Sequence, residues 1–313
     1  MTGKKAVKRQ RRRSDGQEIK AAVDRRSRFL TAATAAVAFL TAPLSAQTVD
    51  SLAIRFSAMT AVTGYEHAMT DSLLTLLPGS TRDRTGNVTL KIGTGTPKRL
   101  ISCSIDETGY VVGNITDDGY LMLRRVGGGV RLYPLFDQQL EGHRVTLFGR
   151  RGAVPGVVGV RSTHLTRGRP IQNDPPFTVD NAYIDVGATS RDQVVALGID
   201  VLTPISLTKR PIRYGKGLIA APNAGRRSAC AALAAAALSK PRVRGSVVVA
   251  FTVQGLYADT AGLNTVRNLQ GPFDENRQVS VPVKYGDTAV ETVALSDVAA
   301  LVQDVVQWIG GSR

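Results

Sequence analysis

Cysteine, histidine and aromatic residues are scarce in this 313-residue chain: two cysteines (Cys103, Cys230), three histidines (His67, His143, His164) and 5% aromatics. Two thiols exclude a thiolate zinc cage and a disulfide scaffold. Three imidazoles leave little for histidine-based metal or acid–base chemistry. Aromatics are not interleaved with the basic clusters, so no stacking surface for nucleic acid is expected. Beyond the N-terminus no apolar run reaches the roughly 18–20 residues of a membrane span, and no internal repeat is present. What the chain does have is 43% hydrophobic residues, enough for a packed core, and a length that favours two domains.

Positive charge is in surplus, 40 Lys/Arg against 25 Asp/Glu for a net +15, and it is unevenly placed. Residues 1–28 hold eleven Lys/Arg against three acids (Asp15, Glu18, Asp24), which is +8 of the +15. Phe29 to Ala46 is then uncharged and apolar, of signal-peptide length, and ends in small residues. The reading is a signal peptide over 1–46, cleaved after Ala46, and an exported protein that is periplasmic, envelope-associated or extracellular and meets the membrane only during export. Arg25-Arg26-Ser27-Arg28-Phe29-Leu30 approaches a twin-arginine signal with Arg28 in its apolar place, so both export routes stay open. An uncleaved anchor is the competing reading, and Pro43 and the short apolar run weigh against it.

From Gln47 onward the pattern is α/β. Spacing predicts helices over 50–59 and 65–77, the second with Met69, Leu73, Leu76 and Leu77 on one side before Pro78. Strands are predicted over 99–105, 110–115, 120–126, 143–148, 154–160 and 182–186, separated by glycine turns such as Gly127-Gly128-Gly129. Ser190-x-x-Gln193 is a capping-box start for a short helix. An alanine-rich helix over 228–239 and a β-branched strand over 247–253 follow. The last helix keeps a 3.6 period through Val298, Leu301, Val302, Val305, Val306 and Ile309, with Ser296 as its expected cap, Gly310-Gly311 as its stop, and a strand over 279–285 as its sheet partner. Gly93-Thr-Gly-Thr-Pro97 precedes a strand rather than a helix and reads as a turn, not a phosphate loop.

Several of these segments, in order, resemble metallopeptidase family 42, the glutamyl and tetrahedral aminopeptidases. They are Thr63-Gly64-Tyr65-Glu66, Thr85-Gly86-Asn87, Ile105-Asp106-Glu107-Thr108-Gly109-Tyr110, Asp117-Asp118-Gly119-Tyr120, Gly156 to Val160 with Thr163-His164-Leu165, and Tyr183-Ile-Asp-Val-Gly-Ala-Thr-Ser-Arg191 through Gly198. The resemblance implies a zinc-peptidase-like α/β sandwich core, over 47–115 and 217–313, with an inserted β-barrel-like domain over 116–216. It also implies homo-oligomers, two divalent metals (zinc or cobalt) with an activated water, and a glutamate general base.

The positions implied for that chemistry carry other residues here. Ser104 stands in the place of a histidine ligand, with Asp106 (implied to orient that ligand) and Glu107 retained. Gly225 stands where the bridging aspartate belongs, and Arg226 and Arg227 follow it. Val253-Gln254 leads into Gly255 and Leu256 in place of the glutamate base and a glutamate ligand. The segment between Asn264 and Val281 is expected to be a short loop that has lost a further aspartate ligand, and Asp287 stands at the closing histidine. None of the three histidines falls at a ligand position, and Ser104 with Asp106 has no histidine base for serine chemistry.

Two questions stay open at this point. One arginine of the 226–227 pair fills the metal volume and pairs with Asp106, Glu107 or Asp287, or both arginines point to solvent. Cys103 and Cys230 are two buried thiols, the preferred reading, or a disulfide across the old site. The functional expectation is an exported, catalytically inactive relative of dinuclear-metal aminopeptidases that acts as a binding or assembly module, with no cofactor, no nucleic acid, and a peptide or protein partner. The alternatives are an active aminopeptidase with a reduced site built from Asp106, Glu107, Asp259 or Asp287, and a basic envelope protein that binds anionic surfaces.

Overall fold

Helices α1 (Ala46–Ala58) and α2 (His67–Leu76) open the part of the chain that the computed structural model describes, residues 46–127, 136–159, 177–256 and 260–311. Residues 1–45 of the segment read as a signal peptide, Gly128 and Gly129, the Thr163-His164-Leu165 motif and Asp259 lie outside the described residues. Strands β1 (Thr81–Arg82), β2 (Val88–Gly93) and β3 (Lys98–Ser104) come next. Six short strands follow: β4 (Gly109–Ile115), β5 (Leu121–Val126), β6 (Arg144–Gly149), β7 (Gly152–Val158), β8 (Tyr183–Asp185) and, after helix α3 (Arg191–Ala196), β9 (Pro204–Leu207). The chain ends with β10 (Ile212–Tyr214), β11 (Leu218–Ala220), α4 (Ala224–Leu238), β12 (Ser246–Thr252), α5 (Ala261–Gln270), β13 (Glu275–Gln278), β14 (Thr292–Ala294) and α6 (Leu295–Gly310).

Side-chain alternation along two strands builds the layers. In β12, Val247, Val249 and Phe251 join one core cluster, with Ile101 and Cys103 of β3 and helices α1, α4 and α6. Val248 and Ala250 face the other way, onto Leu263 and Val266 of α5. A sheet buried on both faces in this way reads as a continuous apolar run, which is why Ser246–Thr252 is buried at every position. The sheet order is β1-β2-β12-β3-β13, with β12 and β13 parallel to β3 and β2 antiparallel to β12. A small antiparallel sheet has the order β10-β11-β14, and its β14 contacts α4 and α6. Strands β4-β5-β8-β7-β6-β9 close into a barrel with its own core around Val112, Leu123, Val145, Leu147, Ile184 and Ile205.

Helix α4 is buried over nearly its whole circumference, and its run of alanines lets α1 and α6 pack closely on either side. On α6, Val298, Val302, Val305 and Ile309 face this core, each contributing about 1.5–3 kcal/mol by leaving water. Gly311, with φ 81°, supplies the left-handed stop.

The structure departs from the sequence expectations at four places. Helix α4 starts at Ala224, four residues before the apolar stripe, because its first turn is held by a tertiary contact described below. The segment read as a loop after Asn264 contains α5 and β13. The strand expected over 279–285 is instead Glu275–Gln278; as the sheet's edge it is polar and mostly exposed, so no hydrophobic pattern marked it. Ala294, not Ser296, precedes α6, which leaves β14 without an intervening turn. Ser190 caps α3 through Gln193 N, as its spacing predicts.

Cys103 of β3 and Cys230 of α4 form a disulfide, with Cα atoms 5.5 Å apart, which corrects the preference for two thiols. It closes a loop with a sequence separation of 127 residues across the core. Protein made in an oxidising compartment is expected to take up no alkylating agent before reduction and two equivalents after it, by intact mass. Replacing both cysteines by alanine is expected to lower unfolding stability by about 2–4 kcal/mol; alkylation without reductant would contradict the bond.

Candidate active site

The carboxyl ends of parallel strands and the starts of the helices that follow them face a common crevice. Here β3, β12 and α4 converge on a cavity of about 420 Å³. Ser104, Gly225, Gly255, Leu256 and Asp287 all line it. The five positions picked out one by one in the sequence therefore belong to one place.

There is little room for a side chain at Gly225 or Gly255. A Cβ on Gly255 would collide with Ser104 Oγ and lie 3.0 Å from Asp106 Oδ1, so a glutamate fits there only if Ser104 moves. A Cβ on Gly225 would collide with Val283 Cγ1 and lie 2.6 Å from Glu291 Oε1. That same Glu291 oxygen accepts a hydrogen bond from Gly225 N at 3.1 Å. This contact is what starts α4 early: a carboxylate satisfies a free N–H of the first turn and meets the positive end of the helix dipole.

Two wholly buried acids sit behind the cavity. Asp106 accepts from Ser104 Oγ and from Leu256 N at 2.8 Å, with Arg226 Nη1 at 3.5 Å. Glu107 is held more tightly. Lys209 Nζ lies 2.6 Å and Arg227 Nη2 2.7 Å from its Oε2, Ser206 Oγ donates to Oε1 at 3.1 Å, and Ala61 N and Asn223 Nδ2 donate at 3.3 Å. Arg227 is fully buried and also donates to the Ile105 carbonyl and toward Met69 Sδ, so it does not point to solvent. Arg226 is the half-exposed member of the pair, and Asp287 is exposed on the rim.

Electrostatics follow from this count of two buried cations against one carboxylate. Burial alone would raise the Glu107 carboxyl, but the Lys209 and Arg227 charges hold it below its ordinary value. Burial pushes the Lys209 ammonium down, Glu107 opposes that, and Arg227 adds to it. Glu66, near Asp106, and Glu291 both lie above the usual glutamate value, chiefly through burial. Glu66 accepts from Gln254 N at 2.8 Å and fixes the left-handed turn after β12, where Gln254 has φ 52°. Sequence reasoning missed Lys209, Glu291 and the role of Glu66. The first two carry no motif, and with the helix expected to begin at 228 nothing in the sequence pointed to a partner for the Gly225 N–H.

The sequence profile of the M42 glutamyl aminopeptidases matches residues 86–255, more than half of the chain. The chain belongs to the M42 glutamyl aminopeptidase family. Escherichia coli (strain K12) SgcX, provisionally named an aminopeptidase, is 33% identical over 180 residues, 55% of this chain and 46% of that protein. Pyrococcus furiosus lysyl aminopeptidase is 30% identical over 147 residues, 45% of this chain and 40% of that protein. The chain thus matches about half the length of these curated relatives. Among solved structures, the Pyrococcus horikoshii TET1 peptidase aligns with a TM-score of 0.72 at 20% identity, over 83% of this chain and 99% of that one. The Desulfurococcus kamchatkensis aminopeptidase gives 0.70 at 18%, over 85% and 96%. These likenesses establish the fold, an aminopeptidase-type α/β core with a β-barrel.

Membership in this family corrects the expectation that no cofactor is involved, since divalent metals are the group the resemblance attaches to it. The side chains present do not reproduce the expected donor set. Among the described residues no three His, Cys, Asp or Glu groups are placed to hold an ion, and Glu107 is already tied to two cations.

Arg227→Ala leaves the buried Glu107 short of a partner and is expected to cost about 3–5 kcal/mol by denaturant unfolding; Arg226→Ala, half exposed, is expected to cost about 1 kcal/mol or less. Equal small losses would contradict the assignment. Because Glu107 titrates lower in the folded than in the unfolded protein, its contribution is complete above the unfolded value of about 4.3 and is lost as pH falls through the folded one. Unfolding midpoints measured against pH are expected to show that decline on the acid side.

Proposed function

We propose that this protein is an exported, non-hydrolysing member of the M42 family that keeps the aminopeptidase scaffold as a binding module for a peptide or protein partner and associates with copies of itself. The refilled catalytic centre carries the reading. Ser104 and Asp106 occupy the space that a base at position 255 needs, and Glu291 with Val283 occupies the space of a side chain at 225. A glycine cannot take a proton from water, so the acid–base step of peptide hydrolysis has no agent at its expected place. What survives is the fold, the cavity and the turns that shape it.

Export is supported by the signal-like segment ending at Ala46 and by the Cys103–Cys230 disulfide, a bond that persists in oxidising compartments. Self-association is supported by the fold shared with the TET1 peptidase, which is described as assembling into a tetrahedron or a large octahedral shell. Exposed Ile212, Tyr214, Val283, Tyr285 and Val290 add apolar surface suited to contact.

Leucine and lysine p-nitroanilides incubated with the mature protein and added zinc or cobalt are expected to give no release above a protein-free blank. Turnover that requires the added ion and stops on chelation would defeat the non-hydrolysing reading. In mass photometry the mature protein is expected as a species larger than one chain, and a monomer at micromolar concentration would count against self-association.

A further inference from the structure

The cavity is lined by charges of both signs. On the α4 side Arg226 has a side chain 37% exposed, and among the described residues its hydrogen-bond partner is Asp106 at 3.5 Å, the outer limit for such a bond. A guanidinium offers five N–H donors, so most of them remain available. On the loop side Glu291 is 8% exposed. Its Oε1 is taken by Gly225 N, whereas Oε2 accepts no hydrogen bond among the described residues. Asp287 lines the same cavity beside it, close enough for its charge to raise the Glu291 carboxyl while Arg226 lowers it. The same cavity also presents apolar side chains, Leu256, Leu263 and Val281, among polar ones such as Thr252, Gln278 and Ser280.

In this one cavity the Arg226 guanidinium has donors to spare and the Glu291 carboxylate has an oxygen to spare, so a ligand that meets both gains a charge-assisted bond at each end. A lone anion would face Glu291 and Asp287, and a lone cation would leave Arg226 unmet. A small zwitterion satisfies both ends. The volume of about 420 Å³ is at the lower end of the range for small-molecule sites, roughly 300–1,000 Å³.

We propose that the cavity binds a free α-amino acid in its zwitterionic form, with the α-carboxylate on Arg226, the α-ammonium on Glu291 and Asp287, and an aliphatic side chain against Leu256, Leu263 and Val281. The inference rests on the non-hydrolysing reading of this same site and names its ligand. It differs from peptide recognition in one respect: the ligand needs a free α-carboxylate one carbon from its ammonium, which the N-terminal residue of a peptide lacks. Arg226 is the residue that enforces this, since a bidentate guanidinium–carboxylate contact has no counterpart with an amide.

Isothermal titration of the mature protein with L-leucine, L-leucinamide and N-acetyl-L-leucine tests it, with circular dichroism as the check on folding. Leucine is expected to bind at least about tenfold tighter than either derivative, a difference of about 1.4 kcal/mol. Arg226→Gln is expected to reduce leucine to the level of leucinamide while leaving leucinamide unchanged. Glu291→Gln, which keeps an acceptor for Gly225 N, is expected to reduce leucine to the level of N-acetyl-leucine. Absence of saturable leucine binding, equal affinity for leucine and leucinamide, or a folded Arg226→Gln variant with undiminished leucine affinity would each overturn the proposal. Absent leucine binding together with absent p-nitroanilide turnover defeats this inference alone; turnover with leucine binding intact defeats the non-hydrolysing reading alone.

Discussion

Glu107 is a carboxylate with no exposed surface, and the centre of the molecule is arranged around neutralising it. An isolated charge in a protein interior costs several kcal/mol even after relaxation, so it must be paired and fully hydrogen-bonded or it will not stay ionised. Lys209 arrives from the end of the barrel, Arg227 from the first turn of α4, and Ser206, Ala61 and Asn223 complete the shell. The two parts of the fold are thereby tied at one atom pair. Glu107 N and O are also bonded to Ala61 O and Thr63 N, so the segment before α2 is fixed by the same residue.

Once Arg227 lies in the interior, the rest of the centre follows from sterics. Its guanidinium donates to the Ile105 carbonyl, and the preceding residue, Arg226, is left at the cavity wall near Asp106. Glycine at 225 lets Val283 and Glu291 close over the helix start. Glycine at 255 lets Ser104 and Asp106 meet beside the turn that Glu66 holds. The disulfide joins β3 to α4 one residue before Ser104 and three after Arg227. These groups form one packed unit, each occupying space that another leaves open.

Much of this was legible from residues alone. The motif at Tyr183–Arg191 and the turns at Thr63–Glu66 and Thr85–Asn87 pointed to the family, and the β-branched run at Val247–Val253 marked the sheet interior. Asn87 shows why such a turn carries information: its side chain binds Val253 N and the Gly262 carbonyl, joining three elements. The illegible parts have physical reasons. Lys209 lies about a hundred residues from Glu107, and nothing local distinguishes a buried lysine from a solvated one. Strand β13 is an exposed edge without apolar alternation, and α5 has only Leu263 and Val266 as large buried anchors. Glu291 sits in a stretch that reads as a polar loop, although its carboxylate caps a helix sixty-six residues earlier in the chain.

The account stands on the energetic coupling between Glu107 and Arg227, and a double-mutant cycle measures it directly. Unfolding free energies of the wild type, Glu107→Gln, Arg227→Met and the double variant isolate the pair term from burial and packing. The structure calls for a coupling of about 2–3 kcal/mol, near the upper end for residues in one hydrogen-bonded network. A coupling of about 0.5 kcal/mol or less would mean that the two residues do not share a buried contact, and the Glu107 charge cluster would not hold the centre together.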